Sequence, residues 1–467
     1  MLRITTLDQL ATLFRGQGVR TAYVKHLSAK QDNSKNQIYL GSGLDGVTNL
    51  FPATIIARSA SESTNKRKSA AGTPKVEAKL DFAWLGANGD RRPAPHTRII
   101  DYFQYPEVRM SGFLRDSDGP QSLVRDRQAE YGRRILVMGT AADDTVVGVV
   151  LTGRDDPLVA DFPELPLAGR GGVLRTLVIG GAPDASPATL IHEQMSSVVK
   201  GGWYSSRINR GGNIQQFTGA QGGGYTLEAL LGVAANGKKA PDLHGYEIKS
   251  YSGHRISLMT PTPDRGFQGT HPFRAFMEKW GREGDKADGS RRFTGMYRCG
   301  SVNDRTRLEL VVRGYDRTSG TFADATAVSV DLVHADTGET AAGWSLEKLA
   351  NCWNAKHANA LYIAVEKRDG HEGAEYAFGP DWLIGQGTDV WRLLRAIDSG
   401  LVFYDPADTI YADGKPKVRS QWRINARDLP KAMAVLYAAS HTAAADATAL
   451  PYVPSSTATV EMQPMLL

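Results

Sequence analysis

The feature that most constrains this chain is a change of rhythm near residue 165. Before it, short apolar or alternating runs recur at residues 21–27, 37–40, 78–85, 98–103, 134–138 and 146–152, separated by Gly, Asp, Asn and Pro. Runs of that length with such punctuation predict an all-β unit, a barrel or a sandwich. Only the first dozen residues and residues 126–132 look helical. Residues 162–187 are rich in Pro and Gly (FPELPLAGRGGV, then GGAPDASP) and read as a boundary. Beyond them helix and strand patterns alternate. Ser186 caps one expected helix, with Pro187 at its first position, and Thr226 caps another over TLEALLGVAANG. A strand pair follows, 245–251 with 255–260, then helices over 344–357, 389–399 and 429–440 and strands over 361–366 and 401–404. The expected organisation is multidomain: an all-β unit over 1–165, a linker over 166–187, an α/β unit over 188–441, and a tail over 442–467.

Composition narrows the function classes. The 467 residues leave room for roughly two to four domains. With 55 basic and 50 acidic residues the net charge is +5, which permits a nucleic-acid partner without requiring one. Two cysteines, Cys299 and Cys352, exclude a disulfide framework and a thiolate zinc site. The histidines show no HExxH spacing, which argues against zinc. No apolar run approaches ~20 residues, and MLRITTLDQLATLF lacks a signal-peptide layout, so a cytoplasmic protein is expected. Residues 59–74 (SASESTNKRKSAAGTP) have no periodicity and read as a loop carrying Lys66, Arg67 and Lys68.

The stretch that carries chemistry is PDLHGYEIK, residues 241–249. In an extended strand, side chains two apart point the same way. Glu247 and Lys249 therefore share one face, while Tyr246 and Ile248 turn to a core. Asp242 can fold back beside them across a turn containing Gly245. Two carboxylates and one amine then converge at a strand edge. Hard oxygen ligands of this kind suit Mg²⁺, which can stabilise the charge of in-line attack on a phosphate. Glu228, expected in the first turn of the preceding helix, is a third carboxylate within reach. The opposing reading is a solvated strand of alternating charge, with Glu228 serving its helix N-terminus. The glycines at 222–224 lack a phosphate-loop context and read as a flexible entry to that helix. His244 and His254 flank the strand and read as surface histidines.

Four blocks, GGWYSSRINRGG, GGGYTLEALLG, APDLHGYEIKSY and SLMTPTPDRG, occur in one order at consistent spacing. In this the segment from about residue 186 to 437 resembles the MvaI/BcnI group of restriction endonucleases, members of the PD-(D/E)xK nuclease superfamily. The resemblance implies an α/β restriction-endonuclease-like domain, with Asp242 and Glu247 as metal ligands and Lys249 as the catalytic lysine. Glu228 would correspond to the family's helix glutamate. It also implies base reading near the C-terminus. Arg423 matches a family arginine, and Arg419 and Gln421 are candidates beside it, arginine being suited to guanine in the major groove. LVFYDPADTIY, just upstream, lacks the arginines the family carries there.

The first unit has a resemblance of its own. YVKHLSAKQDNSKNQIYLGSGLDGVTNLFP resembles the opening of EcoRII-type effector domains, B3-like DNA-binding pseudobarrels, and PEVRMS at 106–111 resembles their second recognition arm. The implied DNA-reading residues are Ser28, Lys30, Asn36 and Gln37 on one arm, and Glu107 and Arg109 on the other. An exposed i,i+2 ion pair is the alternative for the last two. Such an effector domain joined to such a nuclease implies a type IIE enzyme of bacterial restriction–modification. It would be a monomer using Mg²⁺ that cuts double-stranded DNA at a CC-N-GG site with A or T at the centre. A second site held by the first domain would stimulate it, and a cognate methyltransferase would accompany it. A nicking or mismatch-directed nuclease, and a DNA-binding protein without catalysis, remain as alternatives.

Overall fold

The computed structural model describes residues 3–27, 36–41, 44–58, 75–102, 107–168, 173–179, 187–235, 242–284, 288–371 and 373–445. Ser28, Lys30, Ser186 and the charged loop 59–74 lie outside the described residues.

The N-terminal region is built mostly of strands, as its punctuation predicts. One six-stranded sheet and one five-stranded sheet form from it, and neither closes into a barrel among the described residues. The first expected run is the strand Thr21–Leu27, and 146–152 is the strand Val146–Thr152. The run 78–85 divides into Lys75–Lys79 and Phe82–Leu85, in different sheets. The helix Leu7–Gly16 is capped by Thr6, whose hydroxyl accepts from the Gln9 N–H, and it buries Leu10 and Phe14. Residues 126–132 form a 3₁₀ stretch, Arg125–Tyr131. The sheet does not end at residue 165. Within the expected linker, Arg175–Val178 pairs antiparallel with Thr21–Leu27, so part of 166–187 belongs to the first region's sheet.

The C-terminal region centres on a mixed sheet. Its strand Glu247–Tyr251 runs parallel to Asn359–Gly370, with Lys249 opposite Tyr362. Asn359–Gly370 pairs antiparallel with Gly373–Gln386, which carries Tyr204–Ser205 and Ala439–Ala444 on its far side. Ala439–Ala444 takes residues of the expected tail into the sheet. The expected pairing of 245–251 with 255–260 is not formed. Arg255–Met259 instead joins Trp422–Asn425 and Phe403–Tyr404 in a separate sheet. Three residues between the strands form a turn that redirects the chain, and the two faces find different partners.

Side-chain parity then sorts the core. Ile248, Leu361, Ile363 and Val365 pack with Ile191, Met195 and Leu227 on one face of the mixed sheet. Ala360 and Tyr362 turn to the other face, where Leu349 and Trp353 of the helix Leu346–His357 and Met433 of the helix Leu429–Leu436 are buried. Trp344, expected within the helix, ends a strand, and Ser345 is the N-cap, its hydroxyl accepting from the Lys348 N–H.

The two regions are not beads on a string. Val47, Phe51 and Ile55 from the first lie in the same hydrophobic cluster as Leu346, Leu349 and Trp353 from the second. No helix among the described residues is long and apolar enough to cross a membrane.

Candidate active site

The site begins with a two-residue turn. His244 and Gly245 both take positive φ, 48° and 81°, and Leu243 and Tyr246 exchange backbone hydrogen bonds of 3.1 and 2.8 Å across them. This is the left-handed pair that a tight hairpin turn requires, with Gly at the second position. The turn returns Asp242 to the strand, where its Oδ2 accepts from the Ile248 N–H at 3.0 Å. Tyr246 and Ile248 are buried on one face. Glu247 and Lys249 point to the other, where Lys249 Nζ lies 2.6 Å from Glu247 Oε1. Parity and turn thus bring together the two acids and the amine expected from the motif.

Glu228 joins them from a different position than expected. Its helix is Gly222–Leu230, so Glu228 lies in the last turn, not the first. Thr226 is not the cap. It is buried inside the helix, its hydroxyl accepting from the Arg207 N–H at 3.1 Å. The glycines are no flexible entry either. They form the first turn, and a Cβ at Gly222 would collide with the Tyr376 side chain. Close approach of helix to sheet requires glycine there.

The charges are arranged unequally. Burial works against ionising Glu247, yet the ammonium groups beside it, Lys249 foremost and then Lys356, hold its carboxyl down at about 2. Burial, then the Glu247 charge, pushes Asp242 up to about 7. Glu228 is raised too, by burial first and Glu247 second. Burial opposes the Lys249 charge, but Glu247 outweighs it and raises the lysine, which stays an ammonium. Three acids therefore crowd together, and two of them hold protons more tightly than free carboxyls do.

Two residues of this site escaped the sequence reading. Lys356 Nζ lies 3.6 Å from Glu247 Oε2, and His357, fully buried, stacks on Trp353 with ring centroids 4.3 Å apart. Burial, then Lys249, pushes His357 down to about 3, so its ring is neutral. Both come from the end of the helix Leu346–His357, a hundred residues beyond the motif. No local pattern marks them. His244 is half-buried within the turn, not a free surface histidine.

Among the described residues, no group of three or more His, Cys, Asp or Glu is arranged to hold a metal ion. The donors that converge nevertheless suit a hard cation. They are all oxygen, and Glu247 Oε2 is buried while accepting no hydrogen bond. Asp242 and Glu247 are the residues that could hold such a cation.

A second polar cluster lies on the sheet of Arg255–Met259 and Trp422–Asn425. Arg423 donates to Asp405 at 2.9 Å, to Ser257 at 3.2 Å and to Gln421 at 2.9 Å, while Arg255 reaches the same Asp405 oxygen at 2.7 Å. Gln421 and Arg423 therefore come together. Arg419 does not join that face. It precedes the strand, its backbone N–H bound to Asp408 at 2.6 Å and its side chain exposed. Arg255, Ser257 and Asp405 were not foreseen, since the strand pairing that assembles them spans more than 140 residues.

In the first region, Arg109 donates to Glu107 at 2.5 Å and to Gln37 at 3.1 Å. Pairing of Ile38–Gly41 with Glu107–Ser111 brings Gln37 beside Arg109. Asn36 is directed elsewhere, its Oδ1 accepting from the Arg125 N–H at 2.9 Å.

No curated protein matches the chain. Among solved structures it is similar to the restriction endonuclease MvaI bound to cognate DNA, at 19% identity and TM-score 0.41 over 56% of this chain and 99% of that one. It is also similar to MvaI without DNA, at 17% identity and TM-score 0.31 over the same shares. The sequence matches the MvaI/BcnI restriction endonuclease family over residues 192–433, just over half of the chain and all of the site around Glu247. The chain belongs to the MvaI/BcnI restriction endonuclease family and is a type II restriction endonuclease.

Proposed function

We propose that the chain is a Mg²⁺-dependent type IIE endonuclease that hydrolyses phosphodiester bonds at a CC-N-GG site with A or T at its centre. The first region would bind a second copy of the site and stimulate the cut. The observation that carries the catalytic half is the convergence of Asp242, Glu247 and Lys249 on one strand edge, with a buried Glu247 oxygen that accepts no hydrogen bond. When bound, Mg²⁺ would supply Lewis-acid stabilisation of the charge developing on the phosphate.

The chain's own residues supply the rest. Asp242 and Glu247, before and after the turn, would hold the ion. Lys249 is held charged, so it acts as a hydrogen-bond donor and a fixed positive charge for the attacking water and the phosphate. It does not serve as a base. Tyr362, opposite Lys249 in the neighbouring strand, is buried and hydrogen-bonded to Tyr437 at 3.2 Å, which walls the amine on its inner side.

Base reading has support from residue chemistry. Arg423 with Gln421, and Arg109 with Gln37 and Glu107, are the side chains suited to guanine, adenine and cytosine edges. Arg423, Glu107 and Arg109 sit on strands, with Gln421 and Gln37 immediately before theirs, and strands hold direction more firmly than loops do. The B3-like character of the first region rests on its strand content and on this meeting of two arms. The division at residues 165–188, monomeric action and a partner methyltransferase complete the reading.

The decisive experiment compares plasmids carrying one and two sites, in Mg²⁺ and in EDTA. Cutting should need the ion, run faster on the two-site plasmid, and map to CC-N-GG ends. Equal rates on both plasmids would falsify the effector role, and cutting in EDTA would remove the metal mechanism.

A further inference from the structure

The strand Thr54–Arg58 is an edge of the five-stranded sheet, so one row of its backbone groups has no neighbouring strand. The helix Leu346–His357 satisfies that row. Asn351 Oδ1 accepts from the Ile55 N–H at 2.7 Å while Asn351 Nδ2 donates back to the Ile55 carbonyl at 3.1 Å. Glu347 Oε1, one helical turn earlier, accepts from the Ala57 N–H at 2.8 Å. A second link runs beside the first. Asn49 donates to the Thr388 carbonyl at 2.5 Å, and Trp353 of the same helix donates to the Thr388 hydroxyl at 2.9 Å.

The far end of this helix is in the nuclease centre. Lys356 follows Glu347 by nine residues, which on an α-helix is two and a half turns, about 13 Å along the axis and on the opposite face. The helix therefore lies between the first region's edge strand and Glu247. In the arrangement seen, each oxygen of the Glu247 carboxylate faces an ammonium group, Lys249 at 2.6 Å and Lys356 at 3.6 Å. A divalent cation entering there meets two positive charges. Lys249 stems from the strand that carries Glu247 itself, whereas Lys356 comes from the helix Leu346–His357, which the first region's edge strand holds.

We propose that the helix Leu346–His357 couples the two regions: the grip of Thr54–Arg58 on Glu347 and Asn351 holds Lys356 on Glu247, and loosening that grip frees the carboxylate for the metal. Lys356 is then a positioning residue acting through Glu247, and the first region acts as a brake on the nuclease until DNA repositions its sheet. This rests on the reading of Glu247 as a metal ligand and of the first region as an effector.

The test uses the full chain and Mn²⁺ alone, without DNA, with free Mn²⁺ read by its paramagnetic signal and folding checked by thermal melts. Lys356→Met should bind Mn²⁺ about five- to tenfold more tightly, the scale of one charge removed from that distance in a half-screened site. The double variant Glu347→Ala/Asn351→Ala should tighten Mn²⁺ in the same direction and cut a one-site plasmid nearly as fast as a two-site one. Lys356→Arg should keep the wild-type affinity. Unchanged or weaker Mn²⁺ binding by Lys356→Met overturns the proposal. So does a folded double variant that binds Mn²⁺ as the wild type does. If the double variant does not fold, Glu347→Ala alone, which removes one of the three hydrogen bonds, is judged by the same criterion. Glu247→Gln separates the two levels. If it binds Mn²⁺ undiminished, the metal site is misassigned. If it loses Mn²⁺ while Lys356→Met stays like the wild type, only the coupling fails.

Discussion

The catalytic turn and the polar face around Arg423 treat charge in opposite ways. At the turn, Asp242, Glu228 and Glu247 are crowded under partial burial, and two of the three are pushed up by burial and by Glu247. At the polar face, Arg423 and Arg255 share Asp405, and Gln421 fills the remaining fork of Arg423. The first site keeps like charges together at a cost in stability, which a cation can relieve. The second is internally satisfied, so contact with a base must exchange one hydrogen bond for another. In the first region Arg109 likewise donates to Glu107 and to Gln37.

The contrast can be broken by substitution, and the largest effect belongs to the turn. Asp242→Ala should lower the cleavage rate by about a thousandfold or more, the scale of losing a metal ligand, while DNA binding in Ca²⁺ persists. Cleavage at the wild-type rate would remove Asp242 from the site. Arg423→Ala and Arg109→Ala should each weaken specific binding by ~1–3 kcal/mol and relax discrimination at one base pair. A loss that is uniform across sequences, measured on a panel of single-substitution duplexes, would show a phosphate contact instead.

The next effect is on stability. Burial pushes Asp408 up to about 6. A carboxyl raised on folding contributes stability that is complete below its unfolded value near 4. That contribution is lost as pH rises through about 6. Asp408→Asn, which keeps an acceptor for the Arg419 N–H, should therefore raise the melting temperature at pH 8, by the equivalent of about 2 kcal/mol, and leave it nearly unchanged at pH 4. An equal shift at both pH values would contradict the burial argument. The smallest effect is at the turn itself. Gly245→Ala places a Cβ at φ 81°, which should cost about 1–2 kcal/mol, and a cut rate reduced with it would show that Asp242 depends on the turn.

Much of the candidate site was legible because its geometry is short-range. The two-residue period of a strand puts Glu247 and Lys249 on one face, and a glycine turn returns Asp242 to it. The strands of the first region were legible for the same reason, in Thr21–Leu27 and Val146–Thr152. Helix ends were less so. Thr226 has the residue type of a cap, but the helix already begins at Gly222, where the Tyr376 side chain leaves no room for a Cβ. The expected hairpin of 245–251 with 255–260 failed because pattern alone does not choose between strand partners.

What the sequence determined by itself is therefore the local chemistry: which side chains share a face, where the chain turns, and which charges stand together in PDLHGYEIK. Only the tertiary structure decided that Glu247–Tyr251 lies parallel to Asn359–Gly370, that Lys356 reaches Glu247, and that Thr54–Arg58 docks on the helix carrying it. Backbone periodicity acts over a few residues. Pairings across one hundred to three hundred residues arise only when competing partners are weighed in one packed core.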